Sequence, residues 1–152
     1  MKIFWHIARI LLGLVFIFSG FVKGIDPWGM AYKFTDYFNA WGMESMTSLA
    51  FPLGVLLSAV EFIIGVALVL NVFISLFSLL SLVTMGFFTV LTLIVAIQNP
   101  VTDCGCFGDA LILTNWETFS KNIFFLALAV VVFVYRKKFK PAHFPLIATI
   151  MA

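Results

Sequence analysis

Charged side chains are scarce in this chain: Asp, Glu, Lys and Arg together make up 11% of its 152 residues, whereas soluble domains usually carry about 25%. Hydrophobic residues account for 63%, and the mean hydropathy is +1.15. A chain of this composition cannot hide its apolar surface from water, which excludes a soluble fold. The few basic residues form no broad stripe, so the chain also lacks the electrostatic footprint of a nucleic-acid-binding protein.

Cysteine and histidine are almost absent, with two of each. Two thiolates together with Asp103 or Asp109 could hold a soft metal, but a closed zinc site takes four ligands. Both histidines, His6 and His143, fall on the opposite side of the membrane from the cysteines in the topology that the hydrophobic runs predict. We therefore expect no metal site.

The chain instead has four long hydrophobic runs, at about residues 3–22, 49–70, 72–97 and 116–135. Each can cross a bilayer as a helix, which takes about 20 residues. Pro100 ends the third run, because proline cannot continue a helical hydrogen-bond ladder. Thr114 or Asn115, with Glu117, is typical of the cap that begins the fourth. We predict an all-α integral membrane four-helix bundle over residues 1–140.

Aromatic residues are concentrated between the first two runs, in residues 24–48, where they alternate with charged ones. The rings in question are Trp28, Tyr32, Phe34, Tyr37, Phe38 and Trp41. Aromatic rings with polar tips prefer the membrane interface, so this segment is predicted to be a short interfacial amphipathic helix. An ordinary aromatic-rich loop is the alternative.

Residues 141–152 form an apolar tail after the basic RKKFK cluster. The printed sequence stops at Ala152 in the middle of an apolar phrase. Either a hydrophobic tail ends there or a fifth segment has been cut, and we favour the truncated start of a further segment.

Lysine and arginine predict the orientation, because these residues accumulate in the cytoplasmic loops of membrane proteins. Placing both ends of the four-helix unit in the cytoplasm puts six of the nine inside and leaves three outside. The inner set is Lys2, Arg9, Arg136, Lys137, Lys138 and Lys140, and the outer set is Lys23, Lys33 and Lys121. The aromatic segment and the cysteine loop then share the outer face.

Cys104 and Cys106, the two cysteines, lie in the loop before the fourth run. The neighbours that we expect to support this loop are Asp103, Gly105, Phe107, Gly108 and Asp109. A bridge between such close cysteines closes a very small ring, whose strain makes the bond easier to reduce. We interpret the pair as a redox-active dithiol in an oxidising compartment. A structural clip that never turns over and a metal-binding pair are the alternatives.

Glu61 stands near the middle of the second run, where a lone ionised carboxylate costs several kcal/mol. It therefore needs a partner or a proton. We predict an intramembrane ion pair with Arg9, whose long side chain reaches inward from the first run. The pair either fixes the packing of the first two helices or makes Glu61 a proton-handling group beside a quinone or substrate pocket.

Three phrases of the sequence resemble the DoxX-like superfamily of small bacterial membrane proteins, in particular its MauE branch. They are RILLGLVFIFSGFVKGIDP in the first run, SAVEFIIGVALVLN in the second, and DCGCFGD in the loop. Together they extend over most of the chain. The Cys-Gly-Cys-Phe-Gly loop before the last helix is the more telling mark of the MauE-like group.

The resemblance implies a bacterial inner-membrane protein with Cys104 and Cys106 as a redox pair at the periplasmic face. MauE-like proteins are implicated in maturing periplasmic enzymes with several disulfides, and DoxX relatives occur in membrane oxidoreductase or quinone-linked assemblies. The layout is also similar to that of DsbB and vitamin K epoxide reductase. Those proteins use two cysteine pairs, whereas this chain has one.

We therefore predict an inner-membrane thiol–disulfide redox protein that is quinone-linked or assists the maturation of periplasmic proteins. The expected partners are the lipid bilayer, a periplasmic thioredoxin-like or substrate protein, and other membrane subunits. No cofactor is evident from the residues, and a quinone is the candidate. The alternative is a non-catalytic subunit or scaffold that docks a partner protein. A transporter would rest on Glu61 alone, and four short helices without an internal repeat disfavour it.

Overall fold

The computed structural model describes residues 2–99 and 113–139, which are helical over most of their length. The helices are α1 (Lys2–Ile25), α2 (Pro27–Ala40), α3 (Ala50–Leu70), α4 (Ile74–Gln98) and α5 (Asn115–Val134), with 3₁₀ turns at Glu44–Leu49 and Arg136–Lys138. Four of these, α1, α3, α4 and α5, are long and apolar enough to cross a membrane. The predicted all-α membrane bundle is confirmed. The tail at 141–152 lies outside the described residues.

The aromatic segment forms helix α2, as predicted, and local chemistry explains where this helix begins. Asp26 accepts a hydrogen bond from the Gly29 backbone N–H at 2.9 Å, and Pro27 occupies the first turn. An acidic cap followed by proline is a strong helix start, because Asp26 accepts from a first-turn N–H and Pro27 has no N–H that would be left unpaired. One face of α2 packs on α3 and buries Met30, Ala31 and Tyr37.

A turn of only a few residues joins α3 to α4, as the sequence predicted. Asn71 adopts a left-handed conformation with φ 59°, and the Asn71 and Val72 N–H groups donate to the carbonyls of Leu68 and Ala67. This is the hydrogen-bond pair of a Schellman motif, for which asparagine is a tolerated residue. Phe73 also has a positive φ, 43°. The turn between α3 and α4 is therefore strained at this residue, because a side chain disfavours the left-handed backbone conformation that glycine adopts readily.

The ends of α4 and α5 that flank the cysteine loop are also formed as the sequence predicted. α4 ends at Gln98, directly before Asn99 and Pro100. α5 begins with a complete capping box: the Glu117 N–H donates to Thr114 Oγ1 at 3.4 Å, and the Thr114 N–H donates to Glu117 Oε2 at 2.9 Å. The loop therefore leaves and enters the bundle through well-defined helix termini.

α1 and α3 form the closest helix pair in the bundle, and three glycines make this possible. A Cβ on Gly20 would lie 2.6 Å from the Phe62 backbone nitrogen, and one on Gly65 would lie 2.5 Å from that of Ile17. Gly13 is similarly close to Val69. Small residues of this kind let helix backbones approach in a membrane, where dispersion contacts replace the hydrophobic effect.

The consecutive helices α3 and α4 contact each other much less than α1 contacts α3 or α4 contacts α5. A cleft therefore remains between α3 and α4, with α2 packed across the end of α3. The helices run alternately up and down, so α2 lies at the end where α1 and α4 finish and α3 and α5 begin. We call this end of the bundle the α2 end. At the opposite end the Trp5 ring stacks on the Tyr135 ring at a centroid distance of 4.7 Å, and we call it the Trp5 end.

Candidate functional site: a buried ion pair beside an aromatic pocket

Lys23 and Glu61 form a buried ion pair between α1 and α3. The Lys23 ammonium nitrogen lies 2.7 Å from Glu61 Oε1 and 2.8 Å from Oε2, and the two side chains are only 1% and 2% exposed. The ammonium also donates to Ser19 Oγ at 3.1 Å and lies 5.2 Å from the centre of the Phe88 ring. Each of the three ammonium protons therefore has an oxygen acceptor. The ammonium and the carboxylate neutralise each other's charge in apolar surroundings.

The predicted pairing of Glu61 with Arg9 is wrong. The close approach of Gly20 to Ser58 and Phe62 sets the register of α1 against α3 and places Glu61 opposite Lys23. Arg9 instead lies opposite Leu68, seven residues from Glu61, which is about 10 Å along a helix. A feature of the sequence could have indicated Lys23 as the partner: Ser19 and Lys23 lie one helical turn apart on the same face, shortly before the α2 cap.

Arg9 has a different role at the Trp5 end. Its Nη1 donates to the carbonyl oxygen of Leu68 at 2.8 Å, and its guanidinium lies 5.3 Å from the centre of the Phe139 ring. A cation there meets the negative end of the α3 dipole and satisfies a carbonyl in the last turn. Arg9 therefore acts as a side-chain cap for α3.

A small cavity of ≈ 30 Å³ lies on one side of the ion pair. It has room for one or two water molecules, and Ser19, Glu61, Phe88, Lys121 and Asn122 are among the residues that line it. Asn122 also donates to the hydroxyl of Thr92 at 3.2 Å, which ties α5 to α4. Polar side chains from α1, α3 and α5 thus converge next to the Glu61 carboxylate.

A much larger pocket of ≈ 460 Å³ lies on the other side of the ion pair, in the cleft between α3 and α4 beneath α2. Its walls are apolar, with aromatic rings from α2 and α4, and among the residues that the structure describes Lys23 is the one charged side chain that lines it. The lining residues of α2 and α4 are Met30, Phe34, Tyr37, Phe38, Phe87, Phe88 and Leu91, with Trp41 directly after α2 and with Leu53, Leu56, Leu57 and Val60 on α3. This volume is typical of a site for a small organic ligand.

The predicted redox residues Cys104 and Cys106, with Asp103, Gly105, Phe107, Gly108 and Asp109, lie outside the described residues. The two points where their loop joins the bundle are described, and they are close together. Asn115 Nδ2 at the start of α5 donates to Asn99 Oδ1 after α4 at 2.6 Å. Trp41 Nε1, after α2, donates to Gln98 Oε1 at 3.4 Å. The loop is therefore anchored at the α2 end, beside the aromatic pocket.

The fold and the site define a small helical membrane protein with an intramembrane ion pair and an aromatic pocket next to the anchors of its cysteine loop. Residues 1–135 match the family described as methylamine utilisation protein MauE. The chain belongs to this family, which is one of bacterial membrane proteins. Among curated proteins and solved structures, no significant match is found. Membership of the wider DoxX-like superfamily stays a prediction.

Proposed function

We propose that this protein is a thiol–disulfide redox protein of the bacterial inner membrane, in which Cys104 and Cys106 cycle between dithiol and disulfide at the periplasmic face. Its task would be the maturation of a periplasmic protein that contains disulfides. The proposal concerns the cysteine loop, while the described helices supply its anchors and its place in the membrane.

The observation that supports this proposal is where the two cysteines of the chain lie. Both cysteines occur within three residues of each other, on a loop whose two ends are held together by the Asn99–Asn115 hydrogen bond. We expect a loop tied at its base to present the two thiols together at one place on the bundle surface. A disulfide across so short a ring is strained, and strained, exposed disulfides are the ones that exchange.

The exchange step would conserve atoms and electrons as follows. A thiolate of the substrate protein attacks one sulfur of the Cys104–Cys106 disulfide and forms a mixed disulfide, releasing the other cysteine as a thiolate. The substrate's second thiolate then attacks the mixed disulfide. The substrate gains a disulfide, and Cys104 and Cys106 gain two electrons and two protons. The reduced pair must next pass two electrons to an acceptor, for which a quinone and a thioredoxin-like protein are the candidate classes.

The distribution of basic residues supports the periplasmic placement of the loop. Arg136, Lys137 and Lys138 follow α5 at the Trp5 end, and such clusters stay in the cytoplasm. The α2 end then faces the periplasm, where disulfides persist.

Trapping the mixed disulfide tests the proposed function. Cys104→Ser and Cys106→Ser each leave one cysteine, whose thiolate can attack the substrate's disulfide in the reverse of the exchange, forming a mixed disulfide and releasing a substrate thiolate. The missing second cysteine then cannot resolve this mixed disulfide by internal attack. We expect one of them to accumulate a reductant-sensitive adduct with a periplasmic protein in cells. The control is Cys104→Ser/Cys106→Ser, which should form none.

The alternative, a non-catalytic subunit or scaffold that docks a partner protein, makes the opposite prediction. Neither single variant would then form an adduct, and the double serine variant would retain function. The proposal fails if both of these results are obtained.

A further inference from the structure

The pocket between α3 and α4 has two features that a simple gap between helices does not require. Phe34 from α2, Trp41 directly after α2, and Phe87 and Phe88 from α4 are among the aromatic residues on its walls, and the Lys23 ammonium is part of its lining. Flat aromatic walls favour a flat conjugated ligand, because offset and edge-to-face ring contacts add to simple burial. A buried cation in an otherwise apolar pocket favours a hydrogen-bond acceptor on that ligand.

We propose that this pocket binds the ring of a quinone, with one ring carbonyl directed at Lys23 Nζ. This inference rests on the proposed function and supplies its electron acceptor. The chain contains only one cysteine pair, so two electrons taken from a substrate must leave through something else. A lipid-soluble acceptor can reach a pocket that lies among membrane-spanning helices.

The geometry around Lys23 allows such an acceptor without breaking the ion pair. Of the three hydrogen bonds of the ammonium, the one to Ser19 Oγ is the longest, at 3.1 Å, against 2.7 and 2.8 Å to Glu61. A quinone carbonyl would replace Ser19 as the third acceptor. Glu61 would continue to compensate the lysine charge, and the ammonium would stabilise the negative charge that develops on the quinone oxygen.

The position of the pocket connects it to the cysteine loop. Trp41 lines the pocket and also donates to Gln98, the last residue of α4 before the loop. The redox step is then balanced: the Cys104–Cys106 dithiol becomes a disulfide and releases two electrons and two protons, and the quinone takes up two of each to become a quinol. The small cavity beside Glu61, which Ser19, Lys121 and Asn122 also line, would hold a water molecule through which the ion pair could exchange protons.

A lipid acyl chain is the competing occupant, and the walls of the pocket argue against it. An acyl chain has no acceptor for an ammonium and gains nothing from aromatic ring contacts. The α3 wall, with Leu53, Leu56, Leu57 and Val60, is aliphatic and suits either occupant. The aromatic rings of the other walls and the Lys23 ammonium are therefore what favour a quinone.

Binding of a short-chain ubiquinone and a short-chain menaquinone to the purified protein in nanodiscs tests the site, with tryptophan fluorescence quenching as the readout. Leu57→Trp places a large ring in the pocket from α3 and should weaken binding by about tenfold or more. The matched control is Ile63→Trp, which changes a 55% exposed residue of the same helix and should leave binding within about twofold. Both variants must first show an unchanged helical signal and elution volume.

The same measurement on Cys104→Ser/Cys106→Ser separates this inference from the proposed function. Quinone binding that persists there and is lost in Leu57→Trp supports the site, whether or not the cysteines cycle. Absence of quinone binding, or equal binding to Leu57→Trp and Ile63→Trp, overturns the site. Brominated phospholipid chains that quench Trp41 and are not displaced by either quinone also overturn it, in favour of the acyl chain.

Discussion

The ion pair of Lys23 and Glu61 is the residue-scale feature on which the site depends. Each side chain is almost fully buried, and their separation of 2.7 Å leaves no room for water between them. A buried pair gains little over two apolar residues, because desolvation offsets much of the attraction. Removing one partner is costly, since the other charge stays buried alone.

Glu61→Leu should therefore lower the free energy of unfolding by about 3–5 kcal/mol, because Lys23 loses its carboxylate. In Lys23→Met/Glu61→Leu both charges are gone and similar volumes are kept, so most of that loss should be regained. SDS titration of the protein in detergent micelles measures both. A double variant as unstable as Glu61→Leu would contradict the pairing seen in the structure.

Arg9 provides a second test that Glu61 pairs with Lys23 and not with Arg9. Arg9→Met removes the hydrogen bond to Leu68 and the charge at the α3 terminus, and should cost about 1–2 kcal/mol of unfolding free energy. Because Arg9 and Glu61 share no partner within residues 2–99 and 113–139, Arg9→Met and Glu61→Leu should add to within about 0.5 kcal/mol. A coupling well above that value in a double-mutant cycle would mean that the two charges interact after all.

At this scale the sequence predicted that Glu61 needs a partner, but it did not identify the partner. That a carboxylate within a hydrophobic run needs a partner can be inferred from the sequence of its own helix. Which cation meets it depends on the register of two helices, which the glycine contacts between α1 and α3 determine. Of the basic residues, Arg9 and Lys23 both belong to α1, and only the packed pair distinguishes them.

The glycine contacts of α1 and α3 determine how close these elements lie. Gly65→Ala would place a Cβ 2.5 Å from the Ile17 backbone nitrogen, so the helices must separate. We expect a loss of about 1–3 kcal/mol of unfolding free energy, together with a weakened Lys23–Glu61 pair. The measurement is the same SDS titration.

Gly86→Ala on α4 is the matched control, because a Cβ there would have nothing within 4 Å. Alanine is the better helix former by about 1 kcal/mol, so this variant should be neutral or slightly more stable. If both alanine variants behaved alike, close packing at Gly65 would not be what holds α1 and α3 together.

The start of α5 anchors the returning end of the cysteine loop, and its capping box is open to a direct test. Thr114→Ala removes the oxygen that accepts from the Glu117 N–H and should destabilise the first turn by about 1 kcal/mol. Amide hydrogen exchange in residues 115–118 should then speed up by about fivefold. Thr114→Ser keeps the hydroxyl and should exchange like the original, and equal rates in both variants would exclude a role for the cap.

At the scale of elements, the four long helices of the described residues begin and end within a few residues of the hydrophobic runs in the sequence. The Thr114–Glu117 cap and the end of α4 before Pro100 depend only on residues that are neighbours in the sequence, so both could be predicted from it. The pocket was not, because it is formed by side chains from α2, α3 and α4 and by the limited contact between α3 and α4. No periodic pattern in one helix encodes how far apart two helices stand.

The whole molecule brings three features to its α2 end: the ion pair, the aromatic pocket and the two anchors of the cysteine loop. The sequence predicted that the aromatic segment and the loop share a face, because two spans, the second and the third, lie between them. The packing of α2 against α3 and the Trp41–Gln98 contact agree with that arrangement. Which face is periplasmic, and whether the cysteines cycle, stay predictions.

The redox state of Cys104 and Cys106 in intact cells tests the central claim most directly. A membrane-impermeant maleimide, applied with and without mild reductant, is counted on the protein by intact mass. Because the chain has only two cysteines, each label reports on this pair. Lys138→Cys in the double serine background is the topology control and should remain unlabelled from outside.

For a cycling pair at the outer face we expect no label before reduction, two labels after mild reductant, and reclosure of the pair when respiration resumes. A pair that resists mild reductant would contradict a cycling site and favour a structural clip. Free thiols that the reagent cannot reach from outside would contradict the proposed orientation itself.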